Sequence, residues 1–239
     1  IKIIIKNAGK NLIQVIDDGI GMSRNDMYKS FIKHATSKIN KIDDVFSINS
    51  MGFRGEALAA ISSVSMIEMS SSKLNENDGY FIEINGGKVI TEKELIGNKG
   101  TSIKVQNLFY NVPARRNFLK SDFVELRHII NVFNSIALSN NEIEFSFINN
   151  DEEIFYLKKE SLKKRIISIF GEKIRENLIP ISEETQIANL KGFILKPDFA
   201  KKSRINQYIF VNNRSIKSQF ISHSISSSFD GLLRDGYYP

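Results

Sequence analysis

The first half of the chain contains six short runs of β-branched and apolar residues separated by glycine, asparagine or aspartate. Residues of this kind between turn formers are typical of β-strands, and the Asn-Ala-Gly-Lys connection at residues 7–10 suits an antiparallel hairpin. The sequence therefore predicts a sheet-based domain, with a meander in its later strands. The predicted strands are residues 1–6, 11–17, 65–71, 79–85, 88–94 and 101–106.

Helical patterns lie between and after these strands. Ser23 and Asp26 have the spacing of a helix N-cap, and residues 55–64 form a short apolar run. Apolar residues at helical spacing predict an amphipathic helix over residues 122–138, followed by a further hairpin. Together these elements predict an α+β layered domain over residues 1–157.

The pattern restarts at Lys158 and predicts a smaller α/β domain over residues 158–239. The chain opens with Ile1 inside a strand pattern and stops at Pro239 after a helical stretch, so we expect both ends to lie within a longer protein. The predicted elements of the second domain are a basic helix at residues 162–170, strands near residues 186–196 and 206–211, and a helix at residues 218–233.

The composition excludes several classes of protein. A hydrophobic fraction of 41% with 25% charged residues is typical of globular proteins, and no apolar run reaches the roughly 18 residues of a membrane span. The absence of cysteine rules out disulfides and makes a zinc site unexpected, which fits the cytoplasm. The net charge of +6 modestly favours nucleic acid as a partner, although a solvated surface explains it equally well.

Two glycine-containing segments have the chemistry of a nucleotide site. In residues 17–22 (DDGIGM), a carboxylate at a strand end can accept the N6 amino protons of adenine, and the glycines allow close backbone approach. In residues 52–58 (GFRGEAL), a glycine-spaced loop enters a helix whose free N–H groups suit phosphate oxygens. The polar residues 34–38 (HATSK) could add phosphate contacts. Taken alone, each segment is more typical of an ordinary loop or helix entry.

In this order and spacing, these segments resemble the GHKL ATPases, the superfamily of gyrase B, Hsp90, histidine kinases and MutL. The strings at residues 34–38, 52–64 and 108–119 (LFYNVPARRNFL) are similar to signatures of MutL-type DNA mismatch repair proteins. The resemblance covers nearly the whole chain and is strongest over residues 11–120. It implies a GHKL (Bergerat-type) α/β sandwich followed by a smaller α/β domain like the ribosomal-protein-like second domain of MutL and gyrase B.

The resemblance also implies roles for individual residues. Asp17 would read adenine, Gly19 and Gly21 would shape the base pocket, and Thr101 would hydrogen-bond beside it. The implied cofactors are ATP and Mg²⁺, and ATP binding is expected to order the lids and to dimerise the N-terminal domains. The residues expected to hold the phosphates are Thr36, Ser37, Lys38, Gly52, Phe53, Arg54, Gly55, Glu56, Ala57 and Leu58.

The sequence departs from the family pattern at its catalytic residues. The general-base glutamate and a magnesium-ligating asparagine of the family lie on a helix before the first strand, upstream of Ile1, and a phosphate-contacting lysine is expected past Pro239. Glu56 is a possible substitute base, but an acid in a first helical turn also suits the helix dipole. We therefore expect ATPase activity of the complete protein and assign no catalytic residue in this chain.

The second domain is expected to contact DNA, double- or single-stranded, through phosphates and without sequence preference. Further partners implied by the resemblance are a second copy of the chain and a mismatch-recognition protein of the MutS type, in a bacterial cytoplasm and at the nucleoid when engaged. The predicted DNA contacts are Lys163, Lys164, Arg165, Lys201, Lys202, Arg204 and Arg214.

Two other interpretations of the protein's function are compatible with the sequence. A type II topoisomerase ATPase subunit shares the nucleotide architecture but is not expected to contain residues 109–119 in this form. A non-hydrolysing nucleotide- or DNA-binding module is the alternative from a different class, because no hydrolytic base is visible in the chain.

Overall fold

The computed structural model describes residues 1–35, 55–73, 78–97 and 99–239. The chain divides into two compact units, and it passes from the first to the second after Lys158. Residues 133–143 also group with the second unit, which the sequence pattern did not indicate. Within the described part of the chain, no helix is long and apolar enough to cross a membrane. The first unit is Ile1–Val132 with Glu144–Lys158, and the second is Phe133–Ile143 with Lys159–Pro239.

The described strands of the first unit form one mixed eight-stranded sheet in the order β5-β4-β3-β6-β2-β1-β7-β8. β1 and β7 run parallel, and the other neighbouring pairs are antiparallel. This confirms the predicted α+β class. The strands are β1 (Lys2–Lys6), β2 (Leu12–Asp17), β3 (Met66–Ser72), β4 (Asp78–Asn85), β5 (Lys88–Ile96), β6 (Gly100–Gln106), β7 (Phe145–Asn149) and β8 (Glu152–Leu157).

The predicted meander is wrong for its last strand. β6 does not lie beside β5 but is inserted between β3 and β2. In that position both backbone edges of β6 are hydrogen-bonded, and Ile103 and Val105 point to the core side of the sheet. The insertion of β6 places its first residues between the end of β2 and the end of β3.

One face of the sheet holds the core of the first unit. Its centre is a buried cluster to which Met27 contributes from a helix and β3 and β4 contribute their alternate residues. Tyr28 and Leu58 pack against this cluster, so residues from two helices cover the same sheet face. The buried cluster consists of Met27, Ile67, Met69, Ile82 and Ile84.

Four helices begin among the described residues of the first unit, and the first of them is capped as the sequence predicts. The Ser23 hydroxyl accepts a hydrogen bond from the Asp26 backbone N–H at 3.2 Å and donates one to the Asp26 carboxylate at 2.6 Å. The short helix after residue 112 was not predicted. The helices are α1 (Arg24–Ser30), α2 (Ala57–Ser62), α3 (Pro113–Asn117) and α4 (Asp122–Ser139), of which α4 continues into the second unit from Phe133.

The described strands of the second unit form two separate hairpins, β9 with β10 and β11 with β12. β9 and β12 were not predicted from sequence. The last helix is shorter than predicted, because single turns replace it after Ser228 and Gly231 has a φ of +79°. The elements are α5 (Leu162–Phe170), β9 (Leu178–Glu184), β10 (Asn189–Leu195), β11 (Ile209–Val211), β12 (Arg214–Ile216) and α6 (Gln219–Ser227).

The prediction that Arg165 contacts DNA is wrong. Its side chain is fully buried and pairs with Glu160 at 3.1 Å. Its guanidinium also donates to the backbone carbonyls of Ala137, Asn141 and Ile143. All of these partners belong to the second unit, so Arg165 joins residues 133–143 to α5 and is not available to a phosphate.

Candidate nucleotide-binding site

A row of polar side chains lies at the end of the core-facing side of three adjacent strands. Asp17 in β2 is paired with Thr101 in β6, and Thr101 is paired with Ser71 in β3. Directly paired residues on neighbouring strands point to the same face with Cβ atoms about 5 Å apart. Thr101 and Ser71 are buried, whereas Asp17 is half-buried. The sheet therefore places one carboxylate beside two hydroxyl groups.

The Ser71 hydroxyl is the centre of this network. It accepts a hydrogen bond from the Met22 backbone N–H at 2.8 Å and donates to the Gly100 carbonyl at 3.0 Å. It also lies 2.9 Å from the Thr101 hydroxyl. When the single Ser71 proton is directed at Gly100, Thr101 must be the donor to Ser71, and its own oxygen keeps lone pairs for a further donor.

The carboxylate of Asp17 is held by the turn that follows β2. Its Oδ1 accepts a hydrogen bond from the Gly19 backbone N–H at 2.9 Å. Oδ2 accepts no hydrogen bond from the described residues and can therefore accept from a ligand. Asp17 and Thr101 together offer two neighbouring acceptors, an arrangement that matches an amino group with two protons to donate.

Two glycines are required where this turn meets the sheet. Gly21 has a φ of +68°, and a Cβ there would lie 1.9 Å from the Ser72 carbonyl oxygen. Gly100 has a φ of +110°, and a Cβ there would lie 2.0 Å from the Asp17 carbonyl oxygen. Any side chain would displace the backbone at the site, so these positions need glycine for both conformation and space.

A cavity of about 170 Å³ opens at the end of the strands that carry the polar row, and its lining includes residues of both sheet faces. This volume is below the roughly 300–1,000 Å³ of pockets that enclose whole drug-sized ligands, and it fits a single planar ring system better. The cavity is lined by Ile16, Asp17, Ser70, Ser71, Ser72, Leu95, Gly97, Lys99, Gly100, Thr101 and Ser102.

A larger cavity of about 270 Å³ lies elsewhere in the first unit and contains none of the predicted site residues. Its charged lining is already paired in part, since Arg24 contacts Glu92 at 3.2 Å. The smaller cavity at the end of β2 is the better candidate, because unpaired acceptors lie there beside positions that only glycine can occupy.

The second predicted segment is described only from Gly55 onward. Gly55 has a φ of +61°, and its carbonyl accepts from the His34 backbone N–H at 3.1 Å. Glu56 precedes α2, and its carboxylate lies 3.1 Å from His34 Nδ1. Leu58 packs into the core and Ala57 opens the helix, so the backbone N–H groups are what this segment offers to a phosphate. Thr36, Ser37, Lys38, Gly52, Phe53 and Arg54 lie outside the described residues.

Sequence comparison decides the family. Over all 239 residues, the chain is 50% identical to the DNA mismatch repair protein MutL of Christiangramia forsetii. The chain belongs to the MutL family of DNA mismatch repair proteins. It spans 39% of the length of that relative, so the match concerns one part of a MutL-family protein.

The family model for the C-terminal domain of DNA mismatch repair proteins matches residues 166–239, within the second unit of this MutL-family chain. Among solved structures, the chain resembles the Aquifex aeolicus MutL ATPase domain complexed with ADP, with a TM-score of 0.68 and 27% identity over 92% of this chain and 76% of that one. The ATPase region of Saccharomyces cerevisiae topoisomerase II, at 13% identity and a TM-score of 0.59 over 97% of this chain and 61% of that one, shows the shared fold alone.

The remaining predicted DNA contacts of this MutL-family chain are placed differently from Arg165. Lys163 and Lys164 are exposed on α5, and Lys201 is exposed further along the chain. Lys202 and Arg204 are exposed and lie over the rings of Tyr237 and Tyr238, at 5.8 Å and 4.4 Å. Arg214 is half-buried at the start of β12.

Sequence reasoning missed Ser71 and the conformational role of Gly100. The available signal was the run Ser70-Ser71-Ser72 at the end of an otherwise apolar strand, because buried hydroxyl groups need hydrogen-bond partners. Within the described ranges, acidic and histidine side chains form no group of three or more that could hold a metal ion. We therefore derive no step through Mg²⁺ from the residues that the structure describes.

Proposed function

We propose that the first unit binds an adenine nucleotide, with the Asp17 carboxylate accepting the N6 amino protons of the base. The observation that carries this proposal is the row of Asp17, Thr101 and Ser71 beside the cavity, with one Asp17 oxygen and the Thr101 lone pairs left as acceptors. The family relationship supports it, since the similar Aquifex aeolicus ATPase domain was solved with ADP.

We propose ATP as the nucleotide and ATP hydrolysis as the activity of the complete protein. Bound Mg²⁺ would supply charge neutralisation at the phosphates. Glu56 is not our candidate for the general base, because its carboxylate is engaged by His34 at 3.1 Å. Any single-turnover hydrolysis of ATP by this chain should therefore be unchanged in Glu56→Gln. A rate that falls by two orders of magnitude or more would make Glu56 the base.

We propose that the second unit contacts DNA phosphates through its exposed cations. Contacts of this type release counterions, so DNA affinity should fall steeply between low and moderate salt and should not depend on sequence. Nucleotide-dependent dimerisation and engagement of a mismatch-recognition protein of the MutS type are proposals that rest on the family. The proposed contacts are the exposed Lys163, Lys164, Lys201, Lys202 and Arg204, together with the half-buried Arg214.

The adenine assignment is tested by Asp17→Asn. ADP and GDP affinities of the chain would be measured by calorimetry. Replacing a carboxylate with an amide removes a charged acceptor and adds a donor, so ADP binding should weaken about tenfold or more and discrimination against GDP should shrink. Asp18→Asn is the matched control, because Asp18 is exposed next to the site and accepts no described hydrogen bond. Unchanged ADP affinity in Asp17→Asn would show that Asp17 does not bind the adenine amino group.

A further inference from the structure

The hydroxyl group of Ser71 has three partners, and together they use its whole hydrogen-bonding capacity. Only 3% of the surface of Ser71 is exposed. Its oxygen lies 2.8 Å from the Met22 backbone nitrogen, 3.0 Å from the Gly100 carbonyl oxygen and 2.9 Å from the Thr101 hydroxyl oxygen. A hydroxyl group has one proton and two lone pairs, so three partners saturate it. Ser71 therefore has no hydrogen bond left to offer a ligand and acts on one only through its neighbours.

The two short oxygen–oxygen distances determine where the protons lie. Two oxygen atoms about 3 Å apart attract each other when a proton lies between them and repel each other when none does. The Gly100 carbonyl has no proton, so the Ser71 proton must lie on the contact between these two residues. The proton between Ser71 and Thr101 must then come from the Thr101 hydroxyl. The buried carbonyl of Gly100 thus fixes the orientation of a hydroxyl group that it does not contact.

This orientation leaves only acceptors for a bound base. The Thr101 proton is directed at Ser71, so Thr101 presents lone pairs and no proton to the site. Asp17 Oδ2, which accepts no hydrogen bond from the described residues, is also an acceptor. Two acceptors suit the 6-amino group of adenine, which has two protons to donate. The 6-oxo group of hypoxanthine or guanine has no proton and would meet the lone pairs of Thr101.

Asp17 alone does not give this selectivity. A 6-oxopurine carries a proton on N1, and that proton can be donated to a carboxylate in place of the adenine amino proton. Discrimination between the two kinds of purine therefore depends on the second acceptor, Thr101, and on the contact that keeps its proton turned away. A site whose polar groups the wrong ligand leaves unpaired rejects that ligand strongly.

We propose that Ser71 is a positioning residue for base selectivity: it holds the Thr101 hydroxyl in the accepting orientation, so that the site binds 6-aminopurines and rejects 6-oxopurines. The inference rests on the adenine-nucleotide function proposed above, and it assigns the selectivity of that site to a residue that makes no bond to the base. Without the Ser71 hydroxyl, the Thr101 side chain is free to turn and to donate its proton to a 6-oxo group.

The test compares the affinities of the full chain for ADP and for inosine diphosphate (IDP) by calorimetry. The two ligands share ribose and phosphates and differ only at position 6 and N1 of the purine, so the ratio of their affinities reports on the base site alone. The intact chain should prefer ADP by roughly a hundredfold or more. In Ser71→Ala this preference should fall by about tenfold or more, because IDP gains a hydrogen bond from Thr101. A general loosening of the site would weaken both ligands and leave the ratio unchanged.

Further variants separate the hydrogen bond from the packing of the site. Ser71→Thr keeps the hydroxyl and should restore the preference of the intact chain. Ser71→Cys keeps side-chain bulk but hydrogen-bonds weakly, so it should lower the preference and provides a second variant should the alanine disturb folding. Ser65→Ala is the matched control: Ser65 is fully buried just before β3, its hydroxyl donates to the Ile61 carbonyl at 2.6 Å, and its loss should not change the ratio.

A double-mutant cycle tests whether Ser71 acts through Thr101. When Thr101→Val has removed the hydroxyl, adding Ser71→Ala should leave the ratio of ADP to IDP affinity unchanged. A change that persists in the Thr101→Val background would overturn the inference.

The remaining outcomes distinguish this inference from the function on which it rests. If Asp17→Asn weakens ADP binding but Ser71→Ala and Ser71→Cys leave the ratio unchanged, the role of Ser71 is wrong and the adenine site stands. Equal binding of ADP and IDP by the intact chain would also overturn the role of Ser71. If the intact chain binds neither nucleotide, the proposed function fails and this inference fails with it.

Discussion

The hydroxyl oxygens of Ser71 and Thr101 lie 2.9 Å apart on the adjacent strands β3 and β6, at the end where β2 places Asp17. The pair links the candidate base pocket to the stability of the first unit. Ser71 satisfies the Met22 N–H, in the segment between β2 and α1, and the Gly100 carbonyl, at the first residue of β6.

Replacing Ser71 with alanine should destabilise the first unit by about 1–3 kcal/mol, because it leaves two backbone groups without their described partner. Urea denaturation measures this change. Ser70→Ala is the matched control: Ser70 is the preceding residue of β3 on the opposite sheet face, and its side chain makes no described hydrogen bond. Equal effects of the two substitutions would contradict the role given to Ser71.

Gly21→Ala should destabilise the first unit by roughly 3 kcal/mol or more, because the new Cβ would lie 1.9 Å from the Ser72 carbonyl oxygen. Gly87→Ala is the control with a similar backbone. Gly87 has a φ of +82°, but its nearest neighbour, Ser63 Cα, would lie 3.7 Å from the Cβ. Gly87→Ala should lower the free energy of unfolding by only roughly 1 kcal/mol, which is the cost of an alanine in the left-handed backbone region. Comparison of the urea midpoints of the two variants tests the difference.

Arg165→Met should destabilise the second unit by roughly 3–5 kcal/mol. The substitution leaves the half-buried Glu160 without its cation and removes the buried donor from three backbone carbonyls. Lys164→Met, on the exposed neighbour, should change the free energy of unfolding by less than about 1 kcal/mol. If the two variants unfold at the same urea concentration, the buried network contributes no stability.

The cap of α1 should make the stability of the first unit depend on pH. The hydrogen bond from the Ser23 hydroxyl lowers the pKa of Asp26 below its ordinary value. Because the folded-state pKa is the lower one, the contribution is present above the unfolded pKa of about 4 and is lost as pH falls through the folded value. Asp26→Asn should therefore be less stable than the natural chain near neutral pH, and the difference should vanish in acid.

Thermal melting at neutral and acidic pH measures this dependence. Asp18→Asn serves as the control, because Asp18 is exposed and its carboxylate accepts no described hydrogen bond. A pH-independent difference between Asp26→Asn and the natural chain would show that the carboxylate charge is not the cause.

The elements that were predicted correctly are those whose causes are local. The cap formed by Ser23 and Asp26 depends on residues three positions apart, and the first hairpin depends on a four-residue turn. The errors concern distant pairing. β9 was missed because its sequence (LIPISEE) contains a proline and charged residues, and its backbone is satisfied only by pairing with β10.

The sequence alone was sufficient for the α+β class and the MutL family, because strand periodicity and long family strings are read along the chain. It also indicated Asp17, which stands beside its own glycine-rich turn. Only the tertiary structure placed Ser71 beside Thr101, packed the Asp17 backbone against Gly100 and buried Arg165. These relationships depend on which strands become neighbours and which cations lose contact with water, and packing between distant segments decides both.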